Sequence, residues 1–445
     1  MYLISSLVKE QSGGGTGRMT APLVFGAIAD DLTGALELAS LIRRGGVRCP
    51  VLLRPGGKGA LEGLEAVVFG LKTRVIPAKR AVAAFARAAD ALEQRGVRQI
   101  FYKYCATFDS TPRGNIGPCA DLLAERRAAG FTLFSPAFPE VNRTVYQGHL
   151  FAGDILISES PKRFDPLTPM REPNLVKVLQ QQTATRVGLL PHPILVQGAA
   201  ATARHAVRLE AQGIGYAIAD ALDEADLQVT AEASVDWPLM TGGSSVAVYY
   251  PELWRKRGWL TRSDAGAPGK APALPGGPAV VLAGSCAERT FDQLAHFGRQ
   301  RPVLFLDPAR ALDDAAGVEG LVAEALAFAE RELARGPAAI ATSARPEEVA
   351  TLQRRLGRRR AAHLAEGILA RIARGLYARG IRRFVISGGE TSGAVLEALE
   401  VEALEVDSYV TAGQSHSMTT GKDPVSFYLK SGKLGPVEML ETVTR

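Results

Sequence analysis

Two adjacent aspartates follow the first apolar run of the chain and could act as a base toward a hydroxyl group. Asp30 and Asp31 come directly after residues 23–29, whose sequence LVFGAIA predicts a buried strand. A carboxylate at this position could hold a substrate hydroxyl and accept its proton, but aspartate is also a preferred helix N-cap. Capping explains one of two adjacent aspartates more easily than both. The sequence therefore predicts that one of the pair is catalytic and leaves open which one.

Basic and polar side chains follow other strand-like segments. Lys72 and Arg74 come after the apolar run 66–71, and Lys103 lies where the run 99–104 enters a polar loop. Lysine and arginine bind carboxylates and phosphates, although they are also common at the surface. Further candidate substrate-binding residues lie in this loop: Thr107, Asp109, Ser110, Thr111 and Asn115. Because ligands of parallel sheets bind beyond the carboxyl ends of the strands, we expect these groups to surround one cleft.

Three glycine-rich turns could hold phosphate groups. Residues 241–245 (TGGSS), 284–286 (GSC) and 388–393 (GGETSG) each follow a strand-like run and precede a helix-like one. Unpaired backbone N–H groups at such turns attract phosphate oxygens, whereas tight strand-to-helix turns also need glycine for steric reasons. No G-x-x-x-x-G-K-[ST] is present, and the glycines near Gly26 do not form G-x-G-x-x-G. A P-loop and a Rossmann dinucleotide site are therefore disfavoured.

Alternating strand and helix patterns indicate the scaffold that positions these groups. Helix-like segments at 35–44 and 81–95 separate the strand-like runs, which favours a parallel sheet covered on both faces. Residues 255–278 are rich in glycine and proline and predict a linker. The same pattern then restarts with a strand at 279–283. It continues through helices at 317–335 and 346–372 to a strand at 383–387.

Length and composition restrict the class of protein. The chain has 445 residues, more than the ~250–300 that one core fills, so two domains are expected. Its 52 basic and 46 acidic residues give a net charge of +6, and the basic residues form no dense stripe of the kind that binds nucleic acid. Four dispersed cysteines indicate neither a zinc site nor a disulfide framework, which favours the cytoplasm. The apolar runs are shorter than the ~20 residues of a membrane span.

Eight segments in chain order resemble those of the four-carbon acid sugar kinase family. In the first part of the chain these are IADDLTGA (28–35), LKTR (71–74), YKYCATFDSTPRGNIGP (102–118), RTVYQGHLFAGD (143–154) and ES…PLTPM (159–170). In the second part they are LAGSC (282–286), SGGETSGAV (387–395) and LKSGKLG (429–435). The match covers the chain from about residue 23 to residue 435.

The resemblance implies an α/β protein of two domains, each with a largely parallel sheet covered by helices, and an active site in the cleft between them. The Ser/Gly-rich stretch at 11–17 predicts a disordered extension at 1–20. The resemblance implies a sugar-acid substrate-binding domain at 21–254 and, after the linker at 255–278, a nucleotide-binding domain at 279–445. ATP and Mg²⁺ are the implied cofactors, with metal ligands left open. The implied ATP contacts are Ser285, Ala287, Gly388, Gly389, Glu390, Thr391, Gly413 and Lys430.

The central loop carries the substrate expectation. Its form, YKYC-x-TFDST, is similar to that of family members that phosphorylate the 4-hydroxyl of 3-oxo-tetronate, whereas KK-x-DSTLRGN is typical of members that act on threonate or erythronate. One alternative is therefore a threonate or erythronate 4-kinase. Another is a catalytically silent sugar-acid sensor, because Ala106, Ala287 and residues 411–416 depart from the usual family pattern. The expected partner is a small acid sugar, and homo-oligomer formation is left open.

Overall fold

The computed structural model describes residues 23–54, 61–165, 167–260, 274–311, 315–342, 357–407, 409 and 411–445. We call residues 23–260 the first half and residues 274–445 the second half. The extension predicted at 1–20 lies outside the described residues, as do positions 261–273 of the predicted linker and positions 346–356 of a predicted helix.

Strands and helices alternate through the first half. Its strands are β1 (Phe25–Ala29), β2 (Val51–Leu52), β3 (Ala66–Gly70), β4 (Gln99–Lys103), β5 (Thr132–Ser135), β6 (Arg143–Tyr146), β7 (His149–Ala152), β8 (Ile155–Leu156), β9 (Val187–Leu190), β10 (Tyr216–Ala219) and β11 (Leu239–Gly242). Its α-helices are Leu32–Arg44, Ala78–Gln94, Ile116–Arg126, Leu175–Gln180, His192–Leu195, Ala199–Ala211, Glu224–Ser234 and Tyr250–Lys256. Short 3₁₀ helices are formed by Pro139–Val141, Pro161–Phe164 and Ser245–Tyr249.

The second half repeats this alternation. Its strands are β12 (Ala279–Ala283), β13 (Val303–Phe305), β14 (Ala338–Ala341), β15 (Arg383–Ser387), β16 (Ala403–Val406), β17 (Gln414–Met418) and β18 (Ser426–Lys430). Its α-helices are Glu288–Phe297, Ala315–Leu333, Arg358–Ala378, Gly389–Ala398 and Met439–Thr444, with a 3₁₀ helix at Pro308–Ala311. Among the described residues, no helix is both long and apolar enough to cross a membrane.

One sheet runs through both halves. Over the described residues it has 15 strands in the order β13-β14-β12-β15-β18-β17-β16-β2-β3-β1-β4-β11-β5-β10-β9, and β6, β7 and β8 form a separate antiparallel sheet. Most neighbours are parallel, which confirms the predicted α/β class. The halves join where β2 and β16 pair antiparallel, with Leu52 opposite Ala403 and Val51 opposite Leu404. The predicted separate sheets are thus continuous, because β2 pairs with β3 on one side and with β16 on the other.

Local sequence explains the elements nearest the carboxyl ends of the strands. β1 is buried along its whole length and pairs in parallel with both β3 and β4. The helix Leu32–Arg44 begins three residues earlier than the predicted start at 35, because the side chain of Asp31 caps it by accepting from the N–H of Gly34. Arg43 and Arg44 lie in its last turn, where cations suit the helix dipole. The strands predicted at 279–283 and 383–387 are confirmed with the same bounds.

Candidate active site

A cleft of about 1810 Å³ lies between the two halves, at the carboxyl ends of their strands. Predicted substrate-side residues in its wall are Asp31, Arg74, Lys103, Thr107 and Asp109. Predicted ATP-side residues in its wall are Ser285, Ala287, Gly388, Gly389, Glu390, Thr391 and Gly413. The structure therefore brings the acidic and basic groups of the first half opposite the glycine turns of the second. Their roles as site residues stay predictions.

The two adjacent aspartates have different environments. Asp31 lines the cleft, and its Oδ1 accepts from the N–H of Gly34 at 2.8 Å and lies 3.1 Å from Arg74 Nη2. Both contacts are to Oδ1, so Oδ2 has no partner among the described residues. Asp30 is only 4% exposed and is not part of the cleft wall; its two oxygens accept from Arg74 Nη2 at 2.8 Å and Nε at 2.9 Å. Asp31 is therefore both the residue that caps the helix and the aspartate that lines the cleft.

Burial also separates the two aspartates electrostatically. Burial raises the pKa of the Asp30 carboxyl above its ordinary value, although the charge and hydrogen bonds of Arg74 act in the opposite direction. A group that is buried and already holds two hydrogen bonds to a guanidinium has little capacity left for a substrate. Asp31 lines the cleft and keeps one oxygen without a partner among the described residues, so of the two carboxylates it is the one that a ligand in the cleft can reach.

Arg74 is the centre of the acidic cluster. Besides Asp30 and Asp31, its Nη1 lies 3.8 Å from Asp109 Oδ2. Burial disfavours the charged guanidinium, but the two adjacent aspartates outweigh this cost and raise the pKa of Arg74 well above its ordinary value. Because three carboxylates surround this one cation, Arg74 orients the carboxylates and is poorly available as the main partner of a substrate anion.

Asp109 has a second cation, Lys162, which the sequence did not indicate. Lys162 Nζ lies 2.6 Å from Asp109 Oδ1 and 3.2 Å from Asp165 Oδ2, and the Thr107 hydroxyl donates to Asp109 Oδ1 at 2.7 Å. Burial acts to raise the pKa of Asp109, but Lys162 and Arg74 lower it below its ordinary value, so the group stays ionised. The available signal was the position of Lys162 inside the family-like segment 159–170.

Three predicted substrate residues of the central loop lie outside the cleft wall and hold loops together instead. The side-chain amide of Asn115 donates to the carbonyl of Thr73 at 2.6 Å. The side-chain amide of Gln182 donates to the hydroxyl of Ser110 and to the carbonyl of Thr111, each at 2.9 Å. These bonds support the loops that carry Arg74 and Asp109, which is an indirect contribution to the site.

Lys72, the remaining predicted substrate residue, reaches across to the second half. Its Nζ lies 3.8 Å from a carboxylate oxygen of Glu397, in the helix Gly389–Ala398. A Cβ placed on Gly393 of that helix would lie 2.0 Å from Lys72 Cε, so the lysine stem packs directly against this glycine. In this structure Lys72 is a contact between the halves and not part of the cleft wall.

Backbone turns form the nucleotide side of the cleft. Gly388 has φ +121°, a conformation that only glycine adopts readily, and its N–H donates to the carbonyl of Lys430 at 3.0 Å. A Cβ on Gly432 would lie 1.8 Å from Ser285 Oγ, so the turns 284–286 and 431–434 are in direct contact. The helices Glu288–Phe297 and Gly389–Ala398 begin beside these turns. Backbone N–H groups at helix starts are suited to phosphate oxygens.

Lys430, a predicted ATP contact, lies beneath this surface. It is 1% exposed, is absent from the cleft wall, and donates from Nζ to the hydroxyl of Ser387 at 3.0 Å. Ser387 is in turn 3.1 Å from the hydroxyl of Thr290, which donates to the carbonyl of Gly432 at 2.9 Å. Burial lowers the pKa of Lys430 to about 8. This chain of hydrogen bonds connects the turns from below.

The third glycine turn, residues 241–245, is not part of the cleft wall. A Cβ on Gly242 would lie 2.6 Å from the carbonyl oxygen of Ser135, and one on Gly243 would lie 2.9 Å from that of Pro136. These glycines allow two backbones to approach closely, which is the steric explanation that the sequence left open.

Glu37 is a further residue of the cleft wall that the sequence did not indicate. One of its oxygens accepts from the N–H of Gly413 at 3.2 Å and the other from the hydroxyl of Ser244. Glu37 therefore connects the helix Leu32–Arg44 to the second half at a predicted ATP residue. A single glutamate in an amphipathic helix usually faces solvent, so its position in the sequence carries no signal.

Two family models together account for most of the chain. A sugar-binding N-terminal domain model matches residues 25–250, and a nucleotide-binding C-terminal domain model matches residues 280–440. The chain belongs to the four-carbon acid sugar kinase family, as the sequence resemblance predicted.

The chain is also similar to named relatives over nearly its full length. The chain is 43% identical to the 3-oxo-tetronate kinase of Burkholderia multivorans, over 97% of this chain and 98% of the relative. It is 45% identical to the 3-oxo-tetronate kinase of Pseudomonas fluorescens, over 93% of this chain and 94% of the relative. A solved structure of a protein from Salmonella typhimurium LT2 superposes with TM-score 0.83 at 35% identity, over 95% of this chain and 99% of that chain.

Proposed function

We propose that this chain is an ATP-dependent kinase that transfers the γ-phosphoryl group to the 4-hydroxyl of 3-oxo-tetronate. The observation that carries the proposal is the cleft itself, whose wall holds Asp31, with its unpartnered Oδ2, together with the turns at Gly284 and Gly388. The names of the relatives, at 43% and 45% identity, support the choice of substrate. We assign substrate binding to residues 21–254 and nucleotide binding to residues 279–445.

Asp31 is the proposed base for the 4-hydroxyl. Phosphoryl transfer depends on in-line positioning and on neutralising the developing charge. Gly34 and Arg74 fix Oδ1 of Asp31, which leaves Oδ2 to accept a hydrogen bond from the 4-hydroxyl and to hold its proton. Asp30 acts through Arg74 by orienting it.

The turns 284–286, 388–391 and 431–434 are the proposed phosphate cradle. Their glycines let phosphate oxygens approach backbone N–H groups, and Thr391 and Glu390 lie in the cleft wall at the start of the helix Gly389–Ala398. The chemistry that Mg²⁺ would supply here is neutralisation of the phosphate charge. The described residues contain no cluster of three or more possible metal ligands. Mg²⁺ typically keeps several waters and is held by substrate phosphates with one or two carboxylates, and Glu390 in the cleft wall is the carboxylate that would serve here, because both oxygens of Asp31 already have assigned roles.

The cellular compartment follows from the proposed chemistry. The four cysteines are free, and two of them are buried. Free thiols and the use of ATP suit a reducing interior, and we place the enzyme in the cytoplasm.

A substrate panel with coupled ADP detection tests the proposal. Wild-type protein with ATP and Mg²⁺ is given 3-oxo-tetronate, threonate and erythronate, and kcat/KM is measured for each. We expect a strong preference for the oxo acid, because a site built around a specific polar group rejects an analogue that leaves its own donors unpaired. Equal values, or a preference for a reduced acid, would remove the substrate assignment and keep the kinase. Binding of an acid without any ADP release would favour the sensor.

A further inference from the structure

We propose that Arg143 binds the carboxylate of the sugar acid and makes an acid, in preference to a neutral sugar, the substrate. This inference rests on the proposed function, because it assigns one group of the substrate to the same cleft. Arg143 lines the cleft from the first half, at the first position of β6. Its role follows from comparing it with the other cations of that wall.

Those other cations already have partners. Arg74 is surrounded by the three carboxylates described above, and Lys162 Nζ lies between Asp109 at 2.6 Å and Asp165 at 3.2 Å. Lys103 is 3% exposed and donates to the carbonyl of Tyr104 at 2.7 Å. A substrate carboxylate would therefore have to compete with protein groups at Arg74 and Lys162, or enter an almost closed position at Lys103.

No protein carboxylate among the described residues competes with a ligand for Arg143. Its Nη1 donates to the backbone carbonyls of Val141 at 3.1 Å and Asn142 at 3.0 Å, and both acceptors are uncharged. Within the described part of the chain, no carboxylate oxygen lies within ion-pair distance of its guanidinium. Nε and Nη2 remain available as donors, and these two nitrogens form the edge that grips a carboxylate with two parallel hydrogen bonds.

The turn that carries Arg143 holds the guanidinium in place. The N–H of Arg143 donates to the carbonyl of Phe138 at 3.1 Å, and the N–H of Phe138 donates back to the carbonyl of Arg143 at 2.7 Å. Asn142 takes a left-handed conformation with φ 55°, which reverses the chain between the 3₁₀ helix and β6. Because Nη1 is fixed by this turn, little side-chain freedom is lost when a ligand binds.

The surroundings strengthen a charged contact at this position. Phe138 and Val141 of the same turn also line the cleft, so this part of the wall contains apolar residues, and an ion pair formed there is less screened than one in open water. Glu140 of the same turn accepts from the hydroxyl of Tyr409 at 2.8 Å, which braces the turn from the second half. Lys433, a cation of the wall in the second half, belongs to the turn 431–434 on the nucleotide side.

The test compares the acid with its carboxamide. We expect Arg143→Met to raise KM for 3-oxo-tetronate about 10- to 100-fold, the effect of losing charge-assisted hydrogen bonds, with KM for ATP unchanged. The wild type should prefer the acid over 3-oxo-tetronamide, and Arg143→Met should lose most of that preference.

Two further variants serve as controls. Arg143→Lys should show a smaller loss of this preference, because it keeps the charge without the planar fork. Arg171→Met, at an exposed arginine outside the cleft wall, is the matched control and should match the wild type.

The outcomes separate the possible failures. Retained preference for the acid in a folded Arg143→Met protein, or an equal rise in KM for ATP, would overturn the inference and leave the kinase assignment standing. If Arg143→Met does not fold, unchanged KM for the acid in Arg143→Lys would overturn it in the same way. If the wild type does not turn over 3-oxo-tetronate, the proposed function fails, and this inference fails with it.

Discussion

Each half of the molecule contains a buried cation, and the two cations differ in whether carboxylates compensate their charge. In the first half, Arg74 is matched by three carboxylates, and its pKa is raised above the ordinary value despite burial. In the second half, Lys430 has the hydroxyl of Ser387 as its partner and, among the described residues, no carboxylate within ion-pair distance; burial lowers its pKa to about 8. One half satisfies its charge internally, and the other leaves a positive charge uncompensated.

The difference suits the two kinds of ligand that we propose for the two halves. A small acid sugar needs a few groups in definite positions, and the network around Arg74 fixes the open oxygen of Asp31 before any ligand arrives. ATP brings several negative charges, which a surface of backbone N–H groups above an uncompensated ammonium can accept. We expect side-chain changes to dominate the effects in the first half and backbone changes to dominate in the second.

The largest effect should come from the open carboxylate. Asp31→Asn should lower kcat ~10²–10⁴-fold, the usual cost of losing a general base, with little change in stability. Asp30→Asn should instead lower the free energy of unfolding by ~1–3 kcal/mol, because an amide can accept only one of the two hydrogen bonds from Arg74. Steady-state kinetics and urea unfolding of both variants check this. Wild-type turnover in Asp31→Asn would remove the base assignment.

A smaller effect should come from the backbone of the second half. In Gly388→Ala a Cβ would lie 3.1 Å from Thr391 Oγ1, at a residue with φ +121°. Strain of ~1–3 kcal/mol at such a position corresponds to about a 5- to 150-fold rise in KM for ATP. Gly320→Ala, in a helix of the same half with open space around the glycine, is the control and should leave KM for ATP unchanged. Equal KM values for ATP in the two variants would show that the turn at 388 does not hold the nucleotide.

The smallest effect concerns pH and Lys430. Between its folded pKa of about 8 and its ordinary value of 10.5, the unfolded chain binds the proton more strongly than the folded chain does. The free energy of unfolding should therefore rise with pH across this window, by at most about 1.4 kcal/mol per pH unit, and the full cost of burying the charge applies below pH 8. Lys430→Met should lack this rise in urea unfolding between pH 7 and 9.5, whereas exposed Lys79→Met should keep it. Parallel profiles for wild type and Lys430→Met would contradict the uncompensated charge.

Local patterns in the sequence were sufficient for the elements and for much of the cleft wall. The runs 279–283 and 383–387 are strands because short apolar segments bounded by turn residues suit a buried parallel sheet. The turn at 388 required glycine, and the structure places Gly388 at a positive φ. Asp31, Arg74 and Asp109 also reached one cleft as predicted, because parallel strands bring their carboxyl ends to the same edge.

Only the tertiary structure decided which of these groups pair. Val51 pairs with Leu404 across the two halves, and Lys162 forms an ion pair with Asp109. Asp30 binds Arg74, whereas one oxygen of Asp31 has no partner among the described residues. Helix periodicity, capping and turn chemistry act over a few residues and are visible in the sequence. An ion pair depends on distances of a few ångströms between residues far apart in the chain, and these distances exist only once the whole core has packed.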